Sequence, residues 1–325
     1  EQQLAERARG VGDRQRQHHA PRVEAEALHA RKERRPARLQ LLRERGERGI
    51  ARVKCGQVGA LERMLLDRYV VQLRRAPRVV AVGKAANRMA AVLDEILGGQ
   101  VEAGVAVSPA ESPHKLERFR YFVGGHPYPD EGSLRAADAV LELVSNRRAD
   151  DLVIFLISGG GSALLEKPKD PAISLADLRE FNRVLVTCGL PIEQINVLRK
   201  HLSALKGGRL AVRAYPAAQL TIFISDVPDH LPSMVASGPT RPDESTVEQA
   251  YALAAQHGLL ARFPASVRKH FEQRTFEETP KPGDERFGHS HYFCLLSNRD
   301  AVEGAKAAAD KLGFVCEIDS GVWDA

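Results

Sequence analysis

Aromatic residues are scarce: they make up 6% of 325 residues, with a single tryptophan. That argues against a surface built to stack nucleic-acid bases. Long apolar runs are missing too. No stretch reaches transmembrane length, and the first residues lack the basic start and apolar centre of a secretory signal. Cysteine is sparse as well. Cys55, Cys188, Cys294 and Cys316 form no CxxC pair, which argues against a structural zinc site. They read as small packing residues in a reduced, cytoplasmic setting. The net charge of +5 is confined to one segment: residues 1–50 hold 13 basic and 8 acidic residues, and the rest of the chain holds 34 of each. The body of the chain is therefore neutral.

Residues 1–60 stand apart. "RKERRPARLQLLRERGERG" is rich in Arg, Glu and Gln and shows no sustained helical stripe or strand alternation. So little apolar surface favours a poorly ordered segment or a frayed helix. A basic arm that binds nucleic acid or membrane, and a stretch foreign to the native coding sequence, are the other readings of it. The interleaved acidic residues weigh against the arm.

From residue 77 strands and helices alternate. "PRVVAVG" (77–83), 101–108, 118–125, 151–158 and 218–226 read as strands. The run "DLVIFLIS" is apolar throughout, as in the centre of a parallel sheet. Helices are expected over 84–99, stopped by Gly98-Gly99; after Asp130 as cap; from a Ser174-x-x-Asp177 capping pattern; and over 191–208, starting at Pro191. Two more are expected near 246–257 and 265–274. "KPGDERFG" (281–288) reads as a linker, followed by a strand, a helix and a strand over "FVCEIDS" (314–320). The fold expected is α/β: a Rossmann-like parallel-sheet domain over 61–280, with 281–325 opening a second α/β region that is cut short.

Ligands of such sheets gather at the carboxyl ends of the strands. "ISGGGS" places Gly159, Gly160 and Gly161 between Ser158 and Ser162, directly after the most apolar strand. Without Cβ atoms the backbone can aim N–H groups at an anion. The nucleophile-elbow pattern fails, because Leu164 stands where its last glycine belongs, and the dinucleotide pattern lacks its third glycine at the same position. Lys84 follows a strand and a glycine at the start of a helix, a poor place for a cation unless an anion is near. It is not a Walker lysine, since Ala85 follows it. Arg199, Lys200, Lys206 and Arg209 give the helical region a basic face, either solvated or clamping phosphate or carboxylate oxygens. Asp226 ends a strand, where it is a turn cap, a Mg²⁺ ligand or an acceptor of a hydroxyl proton. His126 sits in a constrained loop, and Ser237-Gly238 form another glycine turn. The inventory suits phosphoryl transfer, in which the protein positions groups and neutralises spread negative charge.

"VGKAANRMA", "GGHPYPDEGS", "LISGGGSALLEKP", "INVLRKHLSALKGGRLA" and "ISDVPD…VASGPTRPD" occur in one order. Together they resemble the glycerate 2-kinase family, whose members are often labelled hydroxypyruvate reductase and whose second domain is called MOFRL. The resemblance runs from about residue 60 onward. It implies ATP-dependent phosphorylation of D-glycerate at its 2-hydroxyl, with Mg²⁺, in a cleft between two α/β domains. It implies that Lys84 is the catalytic lysine, with Asp226 catalytic and metal-binding. Nucleotide and substrate would be held by His126, Ser158 to Ser162, Arg199, Lys200, Lys206, Arg209, Ser237 and Gly238. The small molecule is the expected partner, neither nucleic acid nor membrane is, and a homo-oligomer stays open. NAD(P)H-dependent hydroxypyruvate reduction and an inactive anion-binding fragment are the alternatives. Three departures stand out. The first 60 residues do not look like the family's N-terminal helices. Asp229-His230 replaces the family's Gly-Asp after "SDVP", and the chain stops at Ala325, before the family's later glycine- and acid-rich motifs. Little turnover is expected from such a chain.

Overall fold

The computed structural model describes residues 75–227 and 231–318. These belong to the second of two units into which the chain divides, Ile50–Ala325. The basic segment 1–60, Cys55 and the pair Asp229-His230 lie outside the described residues.

Six strands form one parallel sheet among those residues: β1 (Arg78–Val82), β2 (Ala103–Ser108), β3 (Phe119–Val123), β4 (Leu152–Ile157), β5 (Ala218–Ile224) and β6 (Ser290–Leu296), in the order β3-β2-β1-β4-β5-β6. Every residue of β4 is buried, as an apolar run in the middle of a two-sided sheet requires. The pleat sends Val80, Val82, Phe155 and Ile157 into one core and Val79, Ala81, Ile154 and Leu156 into the other.

Helices cover both faces. The second core takes Met89, Leu93 and Ile96 of α1 (Ala86–Leu97), which ends on left-handed Gly98 as its sequence predicts. The first takes Ala136, Val140 and Leu143 of α2 (Glu131–Val144), whose cap Asp130 accepts the Ser133 N–H at 2.8 Å. A four-residue helix, α3 (Gly161–Leu164), follows β4. The Ser174–Asp177 capping box opens α4 (Leu175–Val186). With α5 (Ile192–Leu202), α7 (Val247–Gln256) and α8 (Ala265–Glu272), it encloses a third core around Phe181, Phe263 and Phe271.

Three differences from the expected elements have physical causes. The helix from Pro191 stops at Leu202 rather than running to Gly208. There the Ser203 hydroxyl accepts from the N–H groups of Leu205 and Lys206, and Ser203 bridges to Pro168. A separate helix, α6 (Arg209–Ala214), follows left-handed Gly207 and Gly208. Residues after the expected linker add β6 to the same sheet beside β5, with α9 (Asn298–Lys311) after it. Residues 314–318 carry no strand: Phe314 and Val315 are exposed, so no neighbour completes one.

Candidate functional site

From β1 the chain steps outward to β2 and β3, whereas from β4 it steps the other way to β5 and β6. The carboxyl ends of β1 and β4 therefore flank a crevice, the usual ligand position in open α/β sheets. Both glycine turns lie there. The Lys84 N–H donates to the Gly159 carbonyl at 2.9 Å, and the Ala85 N–H donates to the Ser158 hydroxyl at 3.0 Å. The two turns are thus stitched together by backbone and hydroxyl.

Close approach explains the glycines. Gly83 has φ +119°, and a Cβ there would lie 2.7 Å from the Ser158 carbonyl carbon and closer still to its oxygens. A Cβ on Gly159 would come within 2.7 Å of the Asp226 carboxyl carbon. On Gly160 it would lie 3.1 Å from the His126 ring and 3.3 Å from Cγ of Lys84, and on Gly161 it would lie 2.6 Å from the Ala236 methyl. Lys84 after β1, His126 after β3, Asp226 after β5 and the 236–238 turn thus meet around the loop that follows β4. The loop is largely buried, while Lys84, His126 and Asp226 are exposed around it.

Electrostatics tie the three side chains into one site. The His126 imidazole protonates less readily than a free one: partial burial disfavours its cation first, the Lys84 charge second, and Asp226 opposes both. A neutral ring between an ammonium and a carboxylate can accept or donate a hydrogen bond. Among the described residues no group of three His, Cys, Asp or Glu side chains could hold a metal ion. A single carboxylate fits Mg²⁺ only in its usual substrate-assisted mode, with one or two protein carboxylates and the rest of the shell from phosphate oxygens and water. Asp226 provides such a carboxylate.

The four basic residues go elsewhere. Lys200 pairs with Asp243 at 3.0 Å, both buried. Burial pushes the Asp243 carboxyl up, but the Lys200 charge and hydrogen bonds from Lys200, Ser245 and Thr279 outweigh it and leave the group below its ordinary value. Lys206 pairs with Glu166 in the interior, where burial lowers the lysine's affinity for its proton and the carboxylate opposes that. Its ammonium also reaches the carbonyl of Leu165, the residue that ends α3. Arg199 donates to the Asn182 side chain, and Arg209 to the Lys200 and Glu277 carbonyls. Lys200, Lys206 and Arg209 thus spend donors on protein acceptors, and Arg199 spends its Nε on a neutral amide. Arg199 and Lys206, seven apart, would share a face of one continuous helix, but α5 ends between them.

The structure joins residues of separate motifs that sequence alone does not connect. Buried Asn196 of α5 accepts from the Ser237 hydroxyl at 2.9 Å, and the Ser237 and Ser162 hydroxyls meet at 2.8 Å. In sequence Asn196 lies inside the motif "INVLRKHLSALKGGRLA", as a polar residue within the inward stripe of an amphipathic helix. Ala236, Ser237 and Gly238 all have φ between 53° and 59°. The backbone of that turn is held by Gly207 and Gly208, whose N–H groups donate to the Ser237 and Gly238 carbonyls at 3.2 and 2.8 Å.

Among the described residues no helix is long and apolar enough to cross a membrane. The family model described as "Domain of unknown function (DUF4147)" matches residues 44–272, more than half of the chain. A D-glycerate 2-kinase of Thermotoga maritima is 36% identical over 259 residues, and a glycerate 2-kinase of Pyrococcus horikoshii is 38% identical over 257 residues. These alignments cover 79% and 78% of this chain and 58% of each relative. A putative hydroxypyruvate reductase of Agrobacterium vitis is 41% identical over 236 residues, which cover 73% of this chain and 52% of the relative. The crystal structure of the Thermotoga maritima glycerate kinase superposes with a TM-score of 0.65 at 33% identity, covering 85% of this chain and 62% of that one. The chain spans between half and two thirds of the length of the relatives it matches. With its five motifs, its sheet order and this match, the chain belongs to the DUF4147 family, the glycerate 2-kinase family that its motifs resemble.

Proposed function

We propose that this chain carries the sheet-bearing part of a glycerate 2-kinase, which transfers a phosphoryl group from ATP to the 2-hydroxyl of D-glycerate. The supporting observation is the convergence of Lys84, His126 and Asp226 on one glycine loop between β1 and β4.

Lys84 lies against the loop and neutralises charge on the transferred group, which spreads over three oxygens in the transition state. The loop accepts an anion closely because Gly159 to Gly161 carry no side chains. Asp226 takes the proton of the attacking hydroxyl as its oxygen bonds to phosphorus and the bond from phosphorus to the departing ADP oxygen breaks. Mg²⁺, when bound, would neutralise phosphate oxygens; the Asp226 oxygen that does not take the proton is the protein group here that would hold it. Neutral His126 orients a substrate oxygen without adding charge. Lys200, Lys206 and Arg209 act as supports rather than ligands, because carboxylates or carbonyls occupy them, while Arg199, with only its Nε spent on the Asn182 amide, stays a candidate ligand. ATP as donor and free thiols at Cys188 and Cys316 both suit the cytoplasm.

The test is product analysis by phosphorus NMR after incubation with ATP, Mg²⁺ and D-glycerate, beside NADH absorbance with hydroxypyruvate. The proposal expects slow formation of 2-phosphoglycerate from wild type, none from Lys84→Met, and steady NADH absorbance. NADH oxidation abolished in Lys84→Met, without phosphorylated product, favours the reductase and refutes the kinase.

A further inference from the structure

The serine that closes the glycine loop has a hydrogen-bond polarity set from beneath. An amide oxygen can only accept, so the Ser237 hydroxyl spends its proton on Asn196 Oδ1 at 2.9 Å. The Ser162 hydroxyl lies 2.8 Å from the Ser237 oxygen. With the Ser237 proton committed, Ser162 must be the donor in that bond. Ser237 is fully buried and Asn196 is 3% exposed, so water does not compete for the chain. The backbone holds it in register: Gly161 packs on the Ala236 methyl, and Gly207 N–H binds the Ser237 carbonyl. Half-buried Ser162 therefore offers the crevice lone pairs and no proton.

Lone pairs repel phosphate oxygens and welcome a hydroxyl. We propose that Ser162 accepts a hydrogen bond from the non-reacting hydroxyl of the substrate, and that Asn196 is the positioning residue that keeps Ser162 an acceptor. Ser162 is thus a specificity determinant for a hydroxyl-bearing acid, not part of the phosphate cradle. The assignment rests on the glycerate reading of the crevice, in which Asp226 takes the proton of the reacting hydroxyl and leaves the C3 hydroxyl for Ser162.

Calorimetry with D-glycerate, D-lactate (a methyl in place of the hydroxymethyl group) and inorganic phosphate tests it. Wild type should prefer D-glycerate over D-lactate by about tenfold or more, the affinity equivalent of one hydrogen bond to a buried acceptor. Ser162→Ala and Asn196→Leu should bring that ratio close to one, while phosphate affinity stays unchanged or rises. A merely structural Asn196 would change all three affinities together. Should Asn196→Leu fail to fold, Ser162→Ala carries the test alone, because it removes a single half-buried oxygen. The inference is overturned if Ser162→Ala keeps the preference or loses phosphate affinity about tenfold, since the serine would then donate to phosphate. Equal binding of both acids by wild type overturns it and leaves the kinase reading standing. Binding of neither acid refutes both.

Discussion

Lys206 separates a scaffold cation from a ligand-binding one. Replacing it by methionine removes the ammonium and strands Glu166 in the interior, where the two side chains are 1% and 4% exposed. Breaking such a buried pair by deleting one partner costs about 3–5 kcal/mol, because the other charge is left uncompensated. Glu166 keeps two hydrogen bonds, from the Ser203 hydroxyl at 2.7 Å and the Lys167 N–H at 2.9 Å. The expected loss is therefore at the lower end, about 3 kcal/mol. Adding Glu166→Gln removes the stranded charge, so the double variant should lose less than Lys206→Met alone, with a coupling of about 2 kcal/mol. Urea-induced unfolding at neutral pH, followed by circular dichroism, measures both. Lys84→Met, at an exposed position, should unfold with the wild-type midpoint. The reasoning is refuted if Lys206→Met loses less than about 1 kcal/mol, or if the two substitutions simply add.

The loop glycines should separate stability from binding. Gly83→Ala drives a methyl against the Ser158 backbone at a positive φ, so it should cost several kcal/mol, roughly 3 or more, and lower the melting temperature. The methyl of Gly159→Ala would first meet the carboxylate end of the exposed Asp226 side chain. The substitution should leave melting within about 1 kcal/mol of wild type while abolishing phosphoryl transfer. The His126 imidazole should titrate below the range of a free histidine in proton NMR, shift upward in Lys84→Met and shift further downward in Asp226→Asn. Those signs follow from losing a neighbouring positive charge that resists protonation and a negative one that favours it.

The residues that direct local structure were readable one by one. Val79 to Val82 and the run from Leu152 to Ile157 announce buried parallel strands. Asp130, Ser174 and Gly98 mark helix ends where the backbone needs a side-chain acceptor or a left-handed residue. That Lys84 and the triple glycine lie at the same edge of the sheet also follows from sequence, since both directly follow parallel strands, but the pairing of β1 with β4 that brings them together does not. The fate of Lys200 and Lys206 was not legible. Helical periodicity places a lysine on a face, but the carboxylates that meet these two lie 43 and 40 positions away in sequence. Asn196 was hidden for the same reason: its partner Ser237 is 41 positions distant. Nor does local pattern reveal that β6, past an apparent linker, lies beside β5, because sheet membership is a long-range pairing.

The account depends on one shared anion site at the ends of β1 and β4. Its most direct test is a calorimetric titration of D-glycerate, with and without ATP and Mg²⁺, into wild type and Lys84→Met, with melting curves recorded on the same samples. The account predicts saturable binding to wild type and a loss of at least about tenfold in the variant, a difference of about 1.4 kcal/mol, with unchanged melting. Equal affinities in two equally folded proteins would contradict it.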